Sequence, residues 1–333
     1  GTHGKTTTSS ILAHLLIESG KKITAFLGGI SSNFGSNFIS EGNDYMVVEA
    51  DEFDRSFLTL HPDLLCITSM DVDHLDIYQN VENLETSFQS FATLVSNPNN
   101  RLVREGLDVK GVTYGMSKYA EVRVEHVRIE NGHYVFDFHS KDQILKGLQL
   151  RLPGEHNLMN ATVAIAMALS IGCDPQSIAT ALQHFRGVDR RFSVRIKEPA
   201  VVIDDYAHHP TEINQMADAV KQFYPSAKRI AVFQPHLFSR TRDFCKGFAE
   251  SLSQFDHTIL LDIYPARELP IPGVSSQSIL EKMSGSVEIV SKGQLPEKVA
   301  DAGADVVVVM GAGDIADEVQ PIVEHLKRTS YVG

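Results

Sequence analysis

From Val201 to its end the chain repeats one short unit, a β-branched apolar run followed by a helix-length amphipathic segment. The runs are Val201-Val202-Ile203, Arg229 to Phe233, Thr258 to Leu261, Val287 to Val290 and Asp305 to Met310. The segments between and after them lie near 211–223, 241–254, 275–284, 294–302 and 314–328. Alternating strand and helix commits a chain to parallel pairing with right-handed crossovers. The repeat therefore predicts a doubly wound α/β domain, with ligands expected outside the carboxyl ends of its strands.

The first half is less regular. Tyr45 to Val48 and Leu64 to Thr68 read as buried strands, and residues 6–19 and 81–96 as helices. Val122 to Val127 and Tyr134 to Phe138 flank Asn131-Gly132, and Asn-Gly suits a type I′ hairpin turn. An Ala-rich helix is expected over 157–171 and another over 175–184. The expected first domain is thus a mostly parallel sheet with a small antiparallel piece. Phe185 to Phe192, which holds Gly187 and paired arginines, is the candidate linker.

A chain of 333 residues, 43% apolar and 22% charged, has room for two packed domains. The net charge of −12 argues against nucleic acid or an anionic membrane surface as the main partner. Nucleotides stay open, because backbone amides and a few local cations hold them. No apolar run reaches membrane-spanning length. Cys66, Cys173 and Cys245 lack metal-ligand spacing and read as free thiols in a reducing, cytoplasmic setting. The motif-rich start suggests a fragment of a longer protein.

In both halves, apolar runs end in polar groups. Tyr45–Val48 leads into Glu49-Ala50-Asp51-Glu52, and Leu64–Thr68 leads into Asp71, Asp73, His74 and Asp76. Val201–Ile203 leads into Asp204-Asp205-Tyr206-Ala207-His208-His209-Pro210, and Ala231–Phe233 into Gln234 and His236, with Arg240 and Arg242 beyond. Gly4-Lys5-Thr6 opens a helix. In a P-loop the backbone amides cradle phosphates, the lysine reaches the β/γ oxygens and the hydroxyl holds Mg²⁺. Only half of that motif is present, and Gly-Lys-Thr also occurs by chance at helix starts. Glu49 is a candidate Mg²⁺ carboxylate or a solvated strand end. The acidic cluster Asp71–Asp76 with His74 suggests a cation site. Gly154-Glu155-His156-Asn157-Leu158-Met159-Asn160 either reads an adenine edge or caps the following helix through Asn157. Asp189-Arg190-Arg191-Phe192 supplies phosphate-seeking arginines or is a basic linker. Gly311-Ala312-Gly313-Asp314 is a tight turn or an anion nest.

Taken together these motifs resemble the Mur ligase family over nearly the whole chain. Gly1-Thr2-His3-Gly4-Lys5-Thr6-Thr7-Thr8, Glu49-Ala50-Asp51-Glu52, Asp73-His74-Leu75-Asp76, the Gly154–Asn160 segment, Arg190-Arg191-Phe192 and Asp205–Pro210 follow the family's order. Tyr206-Ala207-His208-His209-Pro210, Gln234-Pro235-His236 and Tyr264-Pro265-Ala266 look most like members that join L-alanine to UDP-N-acetylmuramate. The resemblance implies a P-loop central ATP-binding domain over 1–191 and a Rossmann-like ligase domain over 192–333, with a UDP-binding N-terminal domain expected in cis. ATP, Mg²⁺, UDP-N-acetylmuramate and L-alanine are the implied cofactors and substrates, and an acyl phosphate the implied intermediate.

The roles carried over are Lys5 on phosphates, Thr6 and Glu49 on Mg²⁺, and His74 on a second Mg²⁺. Gly1, Thr2, His3, Gly4 and Thr7 belong to the phosphate loop. His156, Asn157 and Asn160 lie at or near adenine, Arg191 and Tyr206 contact the nucleotide, and His208 and Arg240 place alanine. Phe88 stands where some members carry a carbamylated lysine, so no carbamate is expected. Leu237 replaces an arginine of related alanine ligases. By itself this stretch is expected to bind ATP weakly and not to complete ligation. The competing readings are a muropeptide-recycling or folate-type ligase, and a nucleotide-binding module without ligation.

Overall fold

The computed structural model describes residues 1–71, 78 and 80–330. They form two compact units, Gly1–Asp189 and Arg190–Gly333. The division falls inside the candidate linker for a local reason. Asp189 donates its amide to the Ile30 carbonyl of the first unit, whereas the Arg190 carbonyl accepts the Tyr206 amide of the second.

In the first unit, α1 (Lys5–Glu18) is buried from Thr6 to Leu16. A helix buried all round must be enclosed by other elements. It packs on β1 (Ile23–Ser31), α3 (Glu155–Ser170) and α4 (Pro175–His184). Strand β1 pairs antiparallel with β2 (Ser36–Ser40) and parallel with β3 (Tyr45–Val48). The sequence reading missed β1 and β2, and it placed Tyr45–Val48 as a buried strand. Only Val47 of β3 is buried, and Met46 is 68% exposed.

A second sheet has the order β4-β5-β6-β7-β8-β9, made of Leu65–Ile67, Arg101–Arg104, Val112–Gly115, Val122–Glu130, His133–His139 and Ile144–Leu150. Pairing is parallel from β4 to β7 and antiparallel from β7 to β9. The expected hairpin is present. Asn131 and Gly132 both take positive φ, 52° and 73°, as a type I′ turn requires. Helix α2 (Val81–Thr93) is N-capped by Asn80, and its fully buried Phe88 packs on Phe57 at 5.4 Å between ring centroids. Position 88 is therefore part of an apolar core.

The second unit matches the strand and helix alternation read from its sequence. Its sheet has the order β10-β11-β15-β12-β13-β14, made of Ser193–Ile196, Val201–Asp205, Val306–Met310, Arg229–Phe233, His257–Leu260 and Val287–Ile289. All pairs are parallel except β10 with β11. Period-two alternation splits the core. Ile203, Ala231, Phe233 and Val308 face α5 (Pro210–Phe223), α6 (Phe238–Leu252) and α7 (Ser276–Leu280). Val202, Ile230, Val232 and Val307 face α8 (Leu295–Asp301) and α9 (Ala316–Ser330). Register aligns Asp205 with Met310 and Met310 with Phe233. The loops that follow these three strands therefore leave the sheet side by side. Among the described residues no helix is long and apolar enough to cross a membrane.

Candidate functional site

In the first unit the half P-loop is built around Gly4, whose φ of 82° suits glycine and N-caps α1. A Cβ here would lie 2.5 Å from Asn160 Oδ1, so Asn160 of α3 sits directly on the loop. Lys5 Nζ lies 2.8 Å from each carboxylate oxygen of Glu52, which is 1% exposed. Thr6 donates its hydroxyl to Glu49 Oε1 at 3.0 Å, and Glu49 Oε2 accepts the Gly28 amide at 2.7 Å. The residues before Gly4 are tied down as well. Thr2 Oγ1 lies 2.9 Å from Ser69 Oγ and accepts the Asp71 amide at 3.0 Å. The His3 amide donates to Ser69 Oγ at 2.7 Å, and His3 Nε2 is 3.3 Å from Asp71. Gly1 lies against Thr68 and Ser69, and Thr7 is buried.

The donor set around Glu49 suits Mg²⁺. That ion takes one or two carboxylates and completes its shell with water and phosphate oxygens, so it needs no dense ligand cage. Among the described residues no group of three or more His, Cys, Asp or Glu side chains is arranged for a metal. His74, Asp73 and Asp76 lie outside the described residues. Asn157 does not cap its helix. Helix α3 begins one turn earlier, after Gly154 at φ 97°, and Asn157 donates back to the Pro153 carbonyl at 2.7 Å. Asn160 Nδ2 reaches Asn157 Oδ1 at 3.5 Å, and His156 is half-buried in the first turn.

In the second unit Tyr206 lies near two cations, with the guanidinium carbons of Arg190 and Arg191 at 4.9 and 5.2 Å from its ring centroid. His208 Nδ1 is 2.9 Å from the Tyr206 carbonyl and 3.3 Å from Glu212. Both neighbours are acceptors, so Nδ1 carries the proton and the lone pair is on Nε2. Burial lowers the His208 pKa, only partly countered by Glu212. Arg240 lies in the first turn of α6, after Leu237 at φ 71°. The arrangement also brings in His236 and Tyr264, stacked at 5.6 Å, with His236 6.4 Å from His208. Burial, then repulsion from His208 when it is protonated and from Arg240, pull His236 down to about 4.

Gly311 and Gly313 form a filled turn. Gln234 accepts the Ile315 amide at 3.0 Å and donates to Asp314 at 2.9 Å, and a Cβ on Gly313 would lie 2.6 Å from Gln234 Oε1. The three cysteines are free thiols. Sequence reasoning did not single out Gly28, Glu52 or Asp205 for a role. Glu52 and Asp205 fall inside the quoted motifs without a role of their own, and Gly28 left a different sign, a Gly-Gly pair inside an apolar run, which marks close approach.

Residues 1–168 match the Mur ligase middle domain, and residues 190–313 match the Mur ligase glutamate ligase domain. A protein of Christiangramia forsetii named UDP-N-acetylmuramate–L-alanine ligase is 53% identical over 328 residues, covering 98% of this chain and 73% of the relative. One of the same name from Parabacteroides distasonis is 44% identical over 337 residues, covering 98% and 73%. Among solved structures, the UDP-N-acetylmuramate–alanine ligase of Thermotoga maritima superposes with a TM-score of 0.82 at 29% identity, covering 99% of this chain and 74% of that one.

Proposed function

Since the chain belongs to the Mur ligase family, we propose that it carries the ATP-binding and amide-forming machinery of an enzyme that joins L-alanine to UDP-N-acetylmuramate. The observation that carries this reading is the 53% identity, across 98% of the chain, to a ligase of that name.

The chemistry follows from the residues. The muramate carboxylate oxygen attacks the γ-phosphorus of ATP, the bond to the β-bridging oxygen breaks, and ADP leaves. The alanine amine then attacks the acyl carbon, and phosphate departs from the tetrahedral adduct with its bonding pair. Lys5 and the amides at the start of α1 hold the phosphate oxygens. Thr6 and Glu49 would hold Mg²⁺, which would offset the charge gathered on the phosphates, and His74 is assigned a second Mg²⁺. Asn160, which lies against the loop at Gly4, is assigned to the adenine with Asn157 and His156, and Arg191 and Tyr206 are assigned to the nucleotide.

His208 and Arg240 place alanine. Its ammonium must lose a proton before it attacks. A buried, neutral His208 whose lone pair is on Nε2 suits that task. Arg240 suits the alanine carboxylate.

The test is an isotope transfer. Acceptor labelled with ¹⁸O in the muramate carboxylate should deliver one label to the released phosphate during turnover by the full-length polypeptide. Unlabelled phosphate would rule out the acyl-phosphate route.

A further inference from the structure

Arg190 and Phe192 take φ of 58° and 49°, left-handed values unusual for residues with a side chain. Such a conformation persists only where its surroundings over-determine it. Asp205, at the carboxyl end of β11, supplies much of that constraint. Its Oδ2 accepts the Phe192 amide at 2.7 Å and its Oδ1 accepts the Ala207 amide at 2.8 Å. Asp205 is 6% exposed, so the carboxylate is turned inward onto two backbone amides. One step to either side, the Tyr206 amide donates to the Arg190 carbonyl at 2.8 Å, and Arg190 Nη2 donates to the Gly311 carbonyl. Arg191 and Tyr206 are thus held, through the backbone next to each, by one carboxylate that also lies in the field of the Arg191 guanidinium.

We propose that Asp205 is a positioning residue that ties segment 190–192 to the Tyr206–His208 loop, so that Arg191, Tyr206 and His208 are presented as one rigid group. Arg191 faces the Tyr206 ring from the segment side and Glu212 faces both Arg191, at 3.7 Å, and His208. A loosened segment would leave these contacts free to re-form in several geometries. Misplacing a binding group by about 1 Å is enough to cost a large factor in rate or affinity. The proposal rests on the reading of Arg191 and Tyr206 as nucleotide contacts and of His208 as an alanine contact.

The test uses the full-length polypeptide with Asp205→Asn, Asp205→Ala, Arg191→Ala and the double variant Asp205→Ala/Arg191→Ala. Asn keeps one accepting oxygen and sets an NH2 group against the other amide, so it breaks one tie with little change of shape. Asp205→Asn should raise the KM for ATP about tenfold, the effect of losing one charge-assisted hydrogen bond, and Asp205→Ala, which loses both ties, at least as much. Arg191→Ala should raise it similarly. The double variant should be little worse than either single, because both act through one group.

A purely structural Asp205 would lower the urea midpoint and leave both KM values within twofold of the parent, and that result would overturn the proposal. So would full additivity in the double variant. If Arg191→Ala itself leaves the KM for ATP unchanged, the nucleotide reading of Arg191 is what fails. The clamp is then judged on the KM for alanine, which Asp205→Asn should raise through His208 and which must not stay at the parent value.

Discussion

Replacing Lys5 by alanine should destabilise the protein even with no nucleotide present. Lys5 Nζ lies 2.8 Å from both oxygens of Glu52, and the two side chains are 17% and 1% exposed. Truncating Lys5 removes the ammonium that touches both oxygens of the buried Glu52 carboxylate. Breaking a buried pair from one side costs about 3–5 kcal/mol, because desolvation of the remaining charge is no longer offset. With a urea dependence of about 2–3 kcal/mol per molar, the midpoint of the first unit should fall by about 1–2 M. Removing both charges, in Lys5→Met/Glu52→Gln, should recover most of that loss, since a buried pair is often no better than neutral side chains of similar volume. The assay is urea unfolding followed by circular dichroism and by amide exchange in α1, because two compact units need not unfold in one step. A Lys5→Ala midpoint equal to the parent's, or a double variant less stable than Lys5→Ala, would refute the reasoning.

Gly28→Ala should impair metal use without unfolding the chain: its Cβ would meet both Glu49 carboxylate oxygens at 2.4 Å. Half-saturating Mg²⁺ should rise about 10–100-fold, and an unchanged Mg²⁺ titration would remove Glu49 from the metal site. Phe88→Ala should cost about 3–5 kcal/mol in urea unfolding, since Phe88 is fully enclosed between Phe57 and its neighbours. A loss under about 1 kcal/mol would contradict that packing. His236, held down to about 4, binds its proton less readily folded than unfolded. Stability should therefore fall as pH drops from about 6.5 toward 4, and His236→Gln should flatten that slope in thermal melts. Asp205, pushed up to about 6 mainly by burial, works in the opposite sense. It gains a proton on folding between about 6 and 4, so Asp205→Asn should steepen the loss over that window.

The second unit was legible because strand and helix alternate there with clean periods. Val306 to Met310 is buried on both faces and could hardly be anything but a central strand. Its edge strand Ser193–Ile196 was missed, since a half-exposed antiparallel edge has no such run. In the first unit, β1 was hidden by Gly28-Gly29, which reads locally as a loop. The structure explains the glycine at 28 by the approach of Glu49, a contact from 21 residues away that no window can show. Asn157 misled in the other direction. Its cap preference is real, but Gly154 starts the helix first.

Motif reasoning found the residues whose chemistry is typical of phosphate and carboxylate handling. It quoted Glu52 and Asp205 inside motifs but gave them no role, because their contacts are distant in sequence: a lysine 47 positions away and an amide 13 positions away.

The central claim is that phosphate release depends on forming one particular amide. The direct measurement is ADP release by the full-length polypeptide with Mg-ATP, UDP-N-acetylmuramate and L-alanine, each omitted in turn and L-alanine exchanged for other amino acids. Steady ADP release should require all three together, with L-alanine the preferred amine. Release at an equal rate without the amino acid or without the acceptor would contradict the account.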